Sequence, residues 1–230
     1  MLLKLDPLLK LKEAERRGII SKNIVKRIEK RMKYLYEGIN RIENSSKLPF
    51  PSFYIEPYLP LVISTTEIGK MGVIYARVIP IVFDTNLNLY IEISAPLILF
   101  GSKNTICAVL AHEFSHYIFL LWKLSKFNIL SEESSSTLFE SLYKDEERLI
   151  KPERLYKDRG LVRLVKNRFK NGFVDIKLED KTFKGWIEKN LPVQRLSPET
   201  NIIRIPIKTL LNLKIDSKMR KRIDEIFRAL

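Results

Sequence analysis

The sequence predicts a mixed α+β fold in which a small sheet, partly antiparallel, packs against several helices. Apolar residues between positions 6 and 44 recur at intervals of three and four, which is the spacing of an amphipathic helix. Two runs rich in β-branched and aromatic residues, 72–83 and 89–94, flank a turn signal at 84–86 and predict a β-hairpin. A long apolar run over 105–122 has the length and composition of a buried helix.

The N-terminal segment 1–47 is expected to form two helices. Gly18 separates them, and the Ser21 side chain can cap the first turn of the second helix. Prolines and aromatic residues are mixed through 48–60, and we expect a boundary or a packed loop there because proline cannot donate a backbone hydrogen bond. For the same reason, Pro80 predicts that the first strand of the hairpin lies at a sheet edge or contains a bulge.

The chain after the hairpin is expected to be mostly helical. The predicted elements are a turn with N-cap candidates at 101–104, a helix at 132–149 capped by Ser131, a basic helix at 161–169, a turn at Asn171 and Gly172, a short helix at 180–190, an extended piece at 202–207 and an amphipathic helix at 217–229. We therefore divide the chain into an N-terminal helical segment, a core over 48–150 and a basic C-terminal α/β region over 151–230 that packs on the core.

The net charge of +14 is concentrated in the two ends of the chain. Residues 1–49 carry 13 basic and 6 acidic side chains, whereas residues 50–125 carry 4 and 5. Basic flanks can attract nucleic acid or an acidic partner. However, the sequence has no compact basic run interleaved with aromatic residues. Solvated helix faces are therefore the favoured interpretation, and nucleic acid is the less favoured partner.

The composition also predicts the cellular compartment. The single cysteine, Cys107, excludes an internal disulfide and is expected to pack in the core. The N-terminus lacks the apolar segment of a signal peptide. The apolar run around Cys107 approaches the ~20 residues of a membrane span. Because polar and charged residues occupy its middle, we expect a buried helix, no membrane span and a cytoplasmic protein.

Both histidines of the chain lie within one motif, His112-Glu113-Phe114-Ser115-His116, in the middle of this apolar run. The motif has the H-E-x-x-H pattern of zinc metallopeptidases. Residues four apart share one face of a helix, so both imidazoles can bind the same ion, and Glu113 lies beside them as a candidate general base. The competing interpretation is a core helix with hydrogen-bonded histidines. It is less favoured because every buried polar group then needs its own partner.

A catalytic zinc ion needs three protein ligands and an open position for water. Because the chain has no third histidine, the remaining ligand must be an aspartate or a glutamate. The longer metzincin motif is excluded, since its glycine and third histidine would fall at Phe119 and Trp122.

The run from Ile93 through the motif to Ile118 resembles the strand, loop and active-site helix of gluzincin metallopeptidases. The likeness is to the HtpX-like peptidases and the small soluble minigluzincins, and it covers residues 72–145. It implies a zincin-like core, in which a glutamate-bearing helix follows the motif helix.

In these families the second helix supplies a glutamate ligand that small residues often follow. The resemblance implies Glu133, which precedes three serines, as the third zinc ligand, with Glu132 and Glu140 as alternatives. The implied function is hydrolysis of a peptide or protein substrate by a water that zinc activates and Glu113 deprotonates.

Two details of this function stay open in the sequence. An extended substrate is expected to pair with strand 88–95 of the hairpin. A second electrophile cannot be histidine, and Tyr143 and Tyr156 are both candidates. The alternative from a different class is a zincin-like protein without catalytic activity, whose basic flanks dock on nucleic acid or an acidic partner.

Overall fold

The computed structural model describes residues 6–63, 71–83, 86–126, 150–170, 172–196, 209 and 215–228 of the chain. Over these residues the fold is mixed α+β, as the sequence predicts. The helices are α1 Leu9–Arg16, α2 Lys22–Ser46, α3 Ala95–Phe100, α4 Lys103–Lys126, α5 Pro152–Leu155, α6 Arg159–Arg168, α7 Ile176–Thr182 and α8 Ser217–Arg228. The strands are β1 Phe53–Glu56, β2 Leu59–Ile63, β3 Met71–Val73, β4 Ala76–Phe83, β5 Asn86–Ser94 and β6 Val193–Leu196. The helix predicted at 132–149 with its cap Ser131, the extended piece predicted at 202–207, residues 84 and 85 of the hairpin turn and Asn171 of the second predicted turn lie outside the described residues.

The break between α1 and α2 lies where the sequence predicts it. Gly18 has φ of 70°, a conformation that costs glycine little because it has no Cβ. The Ser21 hydroxyl accepts a hydrogen bond from the Ile24 backbone N–H at 3.4 Å, and so caps α2. The apolar stripe of α2 then faces the core through Val25, Ile28, Met32, Leu35, Ile39 and Ile42.

Three helices near the C-terminus can be compared with their predictions. The predicted helix at 161–169 corresponds to α6, and the predicted helix at 217–229 corresponds to α8. The helix expected at 180–190 instead begins at Ile176, because the Asp175 carboxylate accepts a hydrogen bond from the Leu178 N–H and caps the first turn. It continues into a π-helical turn over Phe183–Ile187.

The strands form two three-stranded sheets, ordered β1-β5-β4 and β3-β2-β6. The packed loop expected over 48–60 is wrong from Phe53 onward, because Phe53–Glu56 forms β1 and β2 begins at Leu59. Its prolines do not prevent pairing. Pro57 lies between the two strands, and Pro60 uses its carbonyl to accept a hydrogen bond from the Ile74 N–H at 3.0 Å.

The hairpin of β4 and β5 is confirmed, with Arg77 opposite Glu92 and Pro80 opposite Leu89. The strand predicted over 72–83 is, however, interrupted at residues 74 and 75, and Met71–Val73 forms β3 in the other sheet. Ser94 N–H donates to the Tyr75 carbonyl at 2.9 Å. Hydrogen-bonded pairs alternate in an antiparallel ladder. Pro80 therefore falls at a position that donates nothing to β5, which agrees with its predicted place in an outer strand.

The strand order of this sheet bears on the expectation that an extended substrate pairs with strand 88–95. Strand β1 pairs in parallel with β5 on the side away from β4. β5 is therefore the central strand of its sheet, and β4 is an outer strand. A hairpin pattern in sequence gives no sign of a third strand that joins from more than 30 residues earlier. Residues 91–93 are paired on both sides, so an extended substrate cannot add to this part of the predicted strand.

Helix α4 is the centre of the fold and packs against α2, α6 and β4. By length and composition it could span a membrane, since an 18-residue window between Lys103 and Ser125 has a mean hydropathy of 1.3. Within the molecule, however, 89% of that window is buried. This degree of burial is typical of the core helix of a folded domain. The close contact between α4 and α2 depends on Gly38. A Cβ there would lie 3.3 Å from Leu110 Cδ1 and 3.5 Å from Cys107 Cα.

Candidate metal centre

One face of α4 carries the polar residues of the motif. The helix begins at an N-cap in which the Ser102 hydroxyl accepts a hydrogen bond from the Thr105 N–H at 3.0 Å. Counting on from that cap, positions 109, 112, 113 and 116 fall on one face because they are three or four residues apart. All four side chains line the same cavity.

The two imidazoles converge. The Nε2 atoms of His112 and His116 lie 3.0 Å apart, and the ring planes are inclined at 83°. The Glu113 carboxylate completes a group whose ligand atoms all lie within 4.8 Å of one another. The three residues are 7%, 9% and 6% exposed, in the order His112, Glu113, His116. The motif therefore forms a compact, nearly enclosed polar cluster.

The geometry of this cluster meets the requirements of a metal ion. Two nitrogens bound to one tetrahedral zinc at about 2.0–2.1 Å lie about 3.3 Å apart, close to the observed Nε2 separation. Imidazole and carboxylate are also ligands that zinc commonly takes. A neutral imidazole pair sharing one N–H would give a similar distance. The donor set thus fits a metal, while the distance alone also fits a hydrogen bond.

Phe169 covers one side of His112. The two rings lie parallel at 8°, with their centroids 3.7 Å apart. Phe169 follows the last residue of α6, which packs against α4. This contact holds the imidazole plane from the side and limits rotation of the His112 ring.

The cavity beside the motif has a volume of about 170 Å³. The first wall is the chain from Val73 to Val78, which includes the start of β4, and the second is α4. Phe169 and Phe173 close the third side. The C-terminal region therefore contributes directly to the candidate site.

The β4 wall is held in place by buried charges on the sheet. Arg77 Nε donates to Glu92 Oε1 at 2.6 Å, and the Tyr54 hydroxyl donates to the other carboxylate oxygen at 2.6 Å. The three residues lie in one row across β4, β5 and β1. Burial, followed by the Glu92 charge, raises the pKa of Tyr54 far above its usual range, so the phenol remains a donor.

Tyr156, one of the two candidates for a second electrophile, bonds to the backbone of α4. Its hydroxyl donates to the Ala111 carbonyl at 2.6 Å, where the Ser115 hydroxyl also donates. Burial raises the pKa of this phenol strongly. Tyr156 is absent from the residues that line the cavity. Within the described chain it supports the backbone just before His112 and does not reach the site.

The remaining site predictions have mixed outcomes. The structure brings together His112, Glu113 and His116 as expected. Glu133, its alternatives Glu132 and Glu140, and the electrophile candidate Tyr143 lie outside the described residues, so their roles stay predictions. Cys107 is buried in the core, and burial raises the pKa of its thiol.

Sequence reasoning missed the aromatic residues of the cavity, Tyr75, Phe169 and Phe173. Tyr75 lies at the start of the hairpin, and its hydroxyl donates to Thr182 Oγ1 at 3.1 Å. Burial raises the pKa of this phenol to about 12. No local pattern marks any of the three, because their approach to the motif depends on how α6 and β4 pack around α4.

Comparison with known proteins gives no further assignment. The chain matches no protein-family model, no curated protein and no solved structure.

Proposed function

We propose that this protein is a zinc-dependent metallopeptidase of gluzincin type with a zincin-like core. The observation that carries the proposal is the convergence of two imidazole Nε2 atoms, 3.0 Å apart, with the Glu113 carboxylate in one cavity wall. Buried polar groups of this kind need partners, and one shared ligand would satisfy both imidazoles at once. The resemblance to gluzincins supports zinc as that ligand.

The residues that would hold zinc are His112, His116 and a glutamate from the segment after α4. Glu133 is our proposed third ligand, with Glu132 and Glu140 as the alternatives to be tested. When bound, zinc would lower the pKa of a water towards ~7 and polarise the carbonyl of the scissile bond. Phe169 would keep the His112 ring in the orientation that ligation requires.

Glu113 is the proposed general base. Its carboxylate lines the cavity beside the two imidazoles, within reach of a water there. It would accept a proton from the attacking water and deliver that proton to the leaving amine nitrogen. A peptide in extended form would lie along the wall that the chain from Val73 to Val78 provides. A cytoplasmic peptide or protein substrate remains the expectation from sequence.

The experiment is elemental analysis and peptide hydrolysis on three proteins, namely the wild type, Glu113→Gln and His116→Ala. We expect about one zinc per chain in the first two, loss of zinc in His116→Ala, and hydrolysis only in the wild type. Hydrolysis by Glu113→Gln at the wild-type rate would remove the proposed role of Glu113. A wild-type protein that binds no zinc after supplementation would leave the histidines as a hydrogen-bonded pair.

The third ligand needs a separate comparison of Glu133→Gln with Glu132→Gln and Glu140→Gln. We expect only the first to lose zinc affinity. Should the wild type bind no zinc, titration with duplex DNA at increasing salt would test the alternative class. A steep fall in affinity with salt would support the basic flanks as a docking surface.

A further inference from the structure

The loop between α6 and α7, described by the structure except at residue 171, brings two aromatic side chains to the candidate site. The loop is closed on itself, since Val174 N–H donates to the Arg168 carbonyl at 2.9 Å and Arg168 Nη1 donates to the Val174 carbonyl at 3.2 Å. Gly172 has φ of 84°, a conformation that L side chains rarely adopt, and so allows the tight return. The loop lies outside residues 72–145, which carry the resemblance to gluzincins.

The same loop is tied to the start of α4. Asp175 is 7% exposed, and its Oδ2 accepts a hydrogen bond from the Thr105 hydroxyl at 2.6 Å. Arg168 Nη1 lies 3.2 Å from the same carboxylate oxygen. Because Thr105 lies on the helix that carries the motif, these bonds fix the loop relative to the histidines. The aromatic side chains are therefore placed by the closed loop and by its buried hydrogen bonds together.

Phe173 and Phe169 form a continuous aromatic surface. Their ring centroids are 5.3 Å apart, and Phe173 also lies 5.3 Å from the Tyr75 ring in an edge-to-face arrangement. Phe169 in turn stacks on His112. The surface thus runs from Tyr75, the residue before β4, across the cavity to one of the two histidines.

The size of the cavity limits what it can take. Its volume of about 170 Å³ lies below the roughly 300–1,000 Å³ of pockets that enclose a drug-sized ligand. That is room for one side chain and not for several residues of a peptide. The charged and polar lining residues, Arg77 and those of the motif, lie on the other two walls. On the side that Phe169 and Phe173 line, a polar side chain would lose hydration without gaining a hydrogen bond, whereas an apolar side chain would gain by leaving water.

We infer that Phe169 and Phe173 form a subsite for one aliphatic or aromatic side chain of a peptide substrate, next to the bond to be cleaved. The inference rests on the proposed function, because the subsite is defined by its distance from the motif. It assigns a role to the C-terminal region, which forms a wall of the site. Phe173 is the determinant to vary, since Phe169 also positions His112.

The experiment measures binding and does not need turnover. Zinc-loaded Glu113→Gln protein is titrated by calorimetry with short peptide hydroxamates that differ only in one side chain, Leu, Phe, Ser or Asp. We expect the Leu and Phe probes to bind about tenfold or more tightly than the Ser and Asp probes. Adding Phe173→Ser should reduce this preference to about threefold or less.

The matched control is Phe183→Ser, because Phe183 is 48% exposed, belongs to the same region and lines no wall of the cavity. It should keep the preference for apolar probes. If Phe173→Ser is poorly folded, Phe173→Trp provides the second test. The larger ring should fill the cavity and weaken the Phe probe more than a Gly probe.

The outcomes separate the subsite from the proposed function. Equal binding of Leu and Asp probes, or a preference that Phe173→Ser and Phe173→Trp leave unchanged, would overturn the subsite while the zinc stoichiometry keeps the peptidase proposal intact. A protein that takes up no zinc overturns both. An apolar preference that is lost only in the Phe173 variants supports the subsite.

Discussion

The two opposite faces of α4 are built on different principles. Towards α2, the helix presents Cys107 and Leu110 to Gly38, and the contact is one of shape between apolar atoms. Towards the cavity, His112 and His116 bring their ring nitrogens together, and Phe169 covers one of the rings. Both faces are buried, but only the first consists of groups that are more stable out of water.

The comparison shows that burying a side chain of α4 does not always stabilise the fold. On the α2 face, close packing itself provides stability, and small changes of volume are expected to be costly. On the cavity face, three polar groups are buried at a cost that their bonding partners have to offset. We therefore expect substitutions on the first face to change the free energy of unfolding. Substitutions on the second should change ligand binding and chemistry.

The largest effect is expected on the cavity face, from His116→Ala. Removing a ligand should reduce zinc affinity by more than about 100-fold, since changes to groups that merely support a ligand cost about 10–100-fold. Zinc competition with a chromogenic chelator measures this. The matched control is Ser115→Ala, whose hydroxyl bonds the Ala111 carbonyl of its own helix and which should retain zinc. Equal zinc affinity in the His116→Ala and Ser115→Ala proteins would contradict the proposed role of His116 as a ligand.

The next effect is expected on the α2 face, from Gly38→Val. The added atoms meet Leu110 Cδ1 and the Cys107 backbone, and such overpacking costs about 1–3 kcal/mol in the free energy of unfolding. Urea denaturation measures it, with Asn40→Val, at an exposed position of the same helix, as the control. Zinc stoichiometry should stay unchanged. A folded Gly38→Val protein without zinc would show that the two faces are coupled.

Tyr156→Phe should have a smaller effect, limited to stability. It removes the hydroxyl that donates to the Ala111 carbonyl, and one such hydrogen bond contributes about 0.5–1.5 kcal/mol. Ser115 continues to donate to that carbonyl. Peptide hydrolysis should match the wild-type rate. A large loss of hydrolysis with fold and zinc intact would return Tyr156 to the role of second electrophile.

The smallest effect concerns the link between α2 and α6, where Arg41 Nε donates to Asp158 Oδ2 at 2.7 Å. This bond lowers the pKa of Asp158. The carboxylate therefore adds stability above its unfolded pKa of about 3.9, which is lost as the pH falls through the lower folded pKa. Both side chains are more than a third exposed, so solvent screens the pair to less than about 1 kcal/mol.

Asp158→Asn tests this pair, since asparagine can still cap α6 while it loses the charge. Denaturation of both proteins from about pH 7 down to about pH 3 should show a small wild-type advantage that disappears at the acid end. A wild-type advantage that grows as the pH falls would contradict the lowered pKa of Asp158.

Local sequence determined several elements of this fold. Gly18 and Ser21 specify the break before α2 because each acts on its own backbone. Pro80 marks an outer strand because it has no N–H to donate. The spacing of His112 and His116 places both on one helical face, and the helix period alone ensures it.

Only the tertiary structure decided what surrounds these elements. Strand β1 joins β5 from a distant part of the chain, so the central strand of the sheet could not be found from the hairpin. Phe169 meets His112 across 57 positions, and nothing in either local sequence encodes that contact. The physical reason is that helix periods, caps and prolines act over a few residues. Strand order and cavity walls depend instead on which distant apolar surfaces exclude water together.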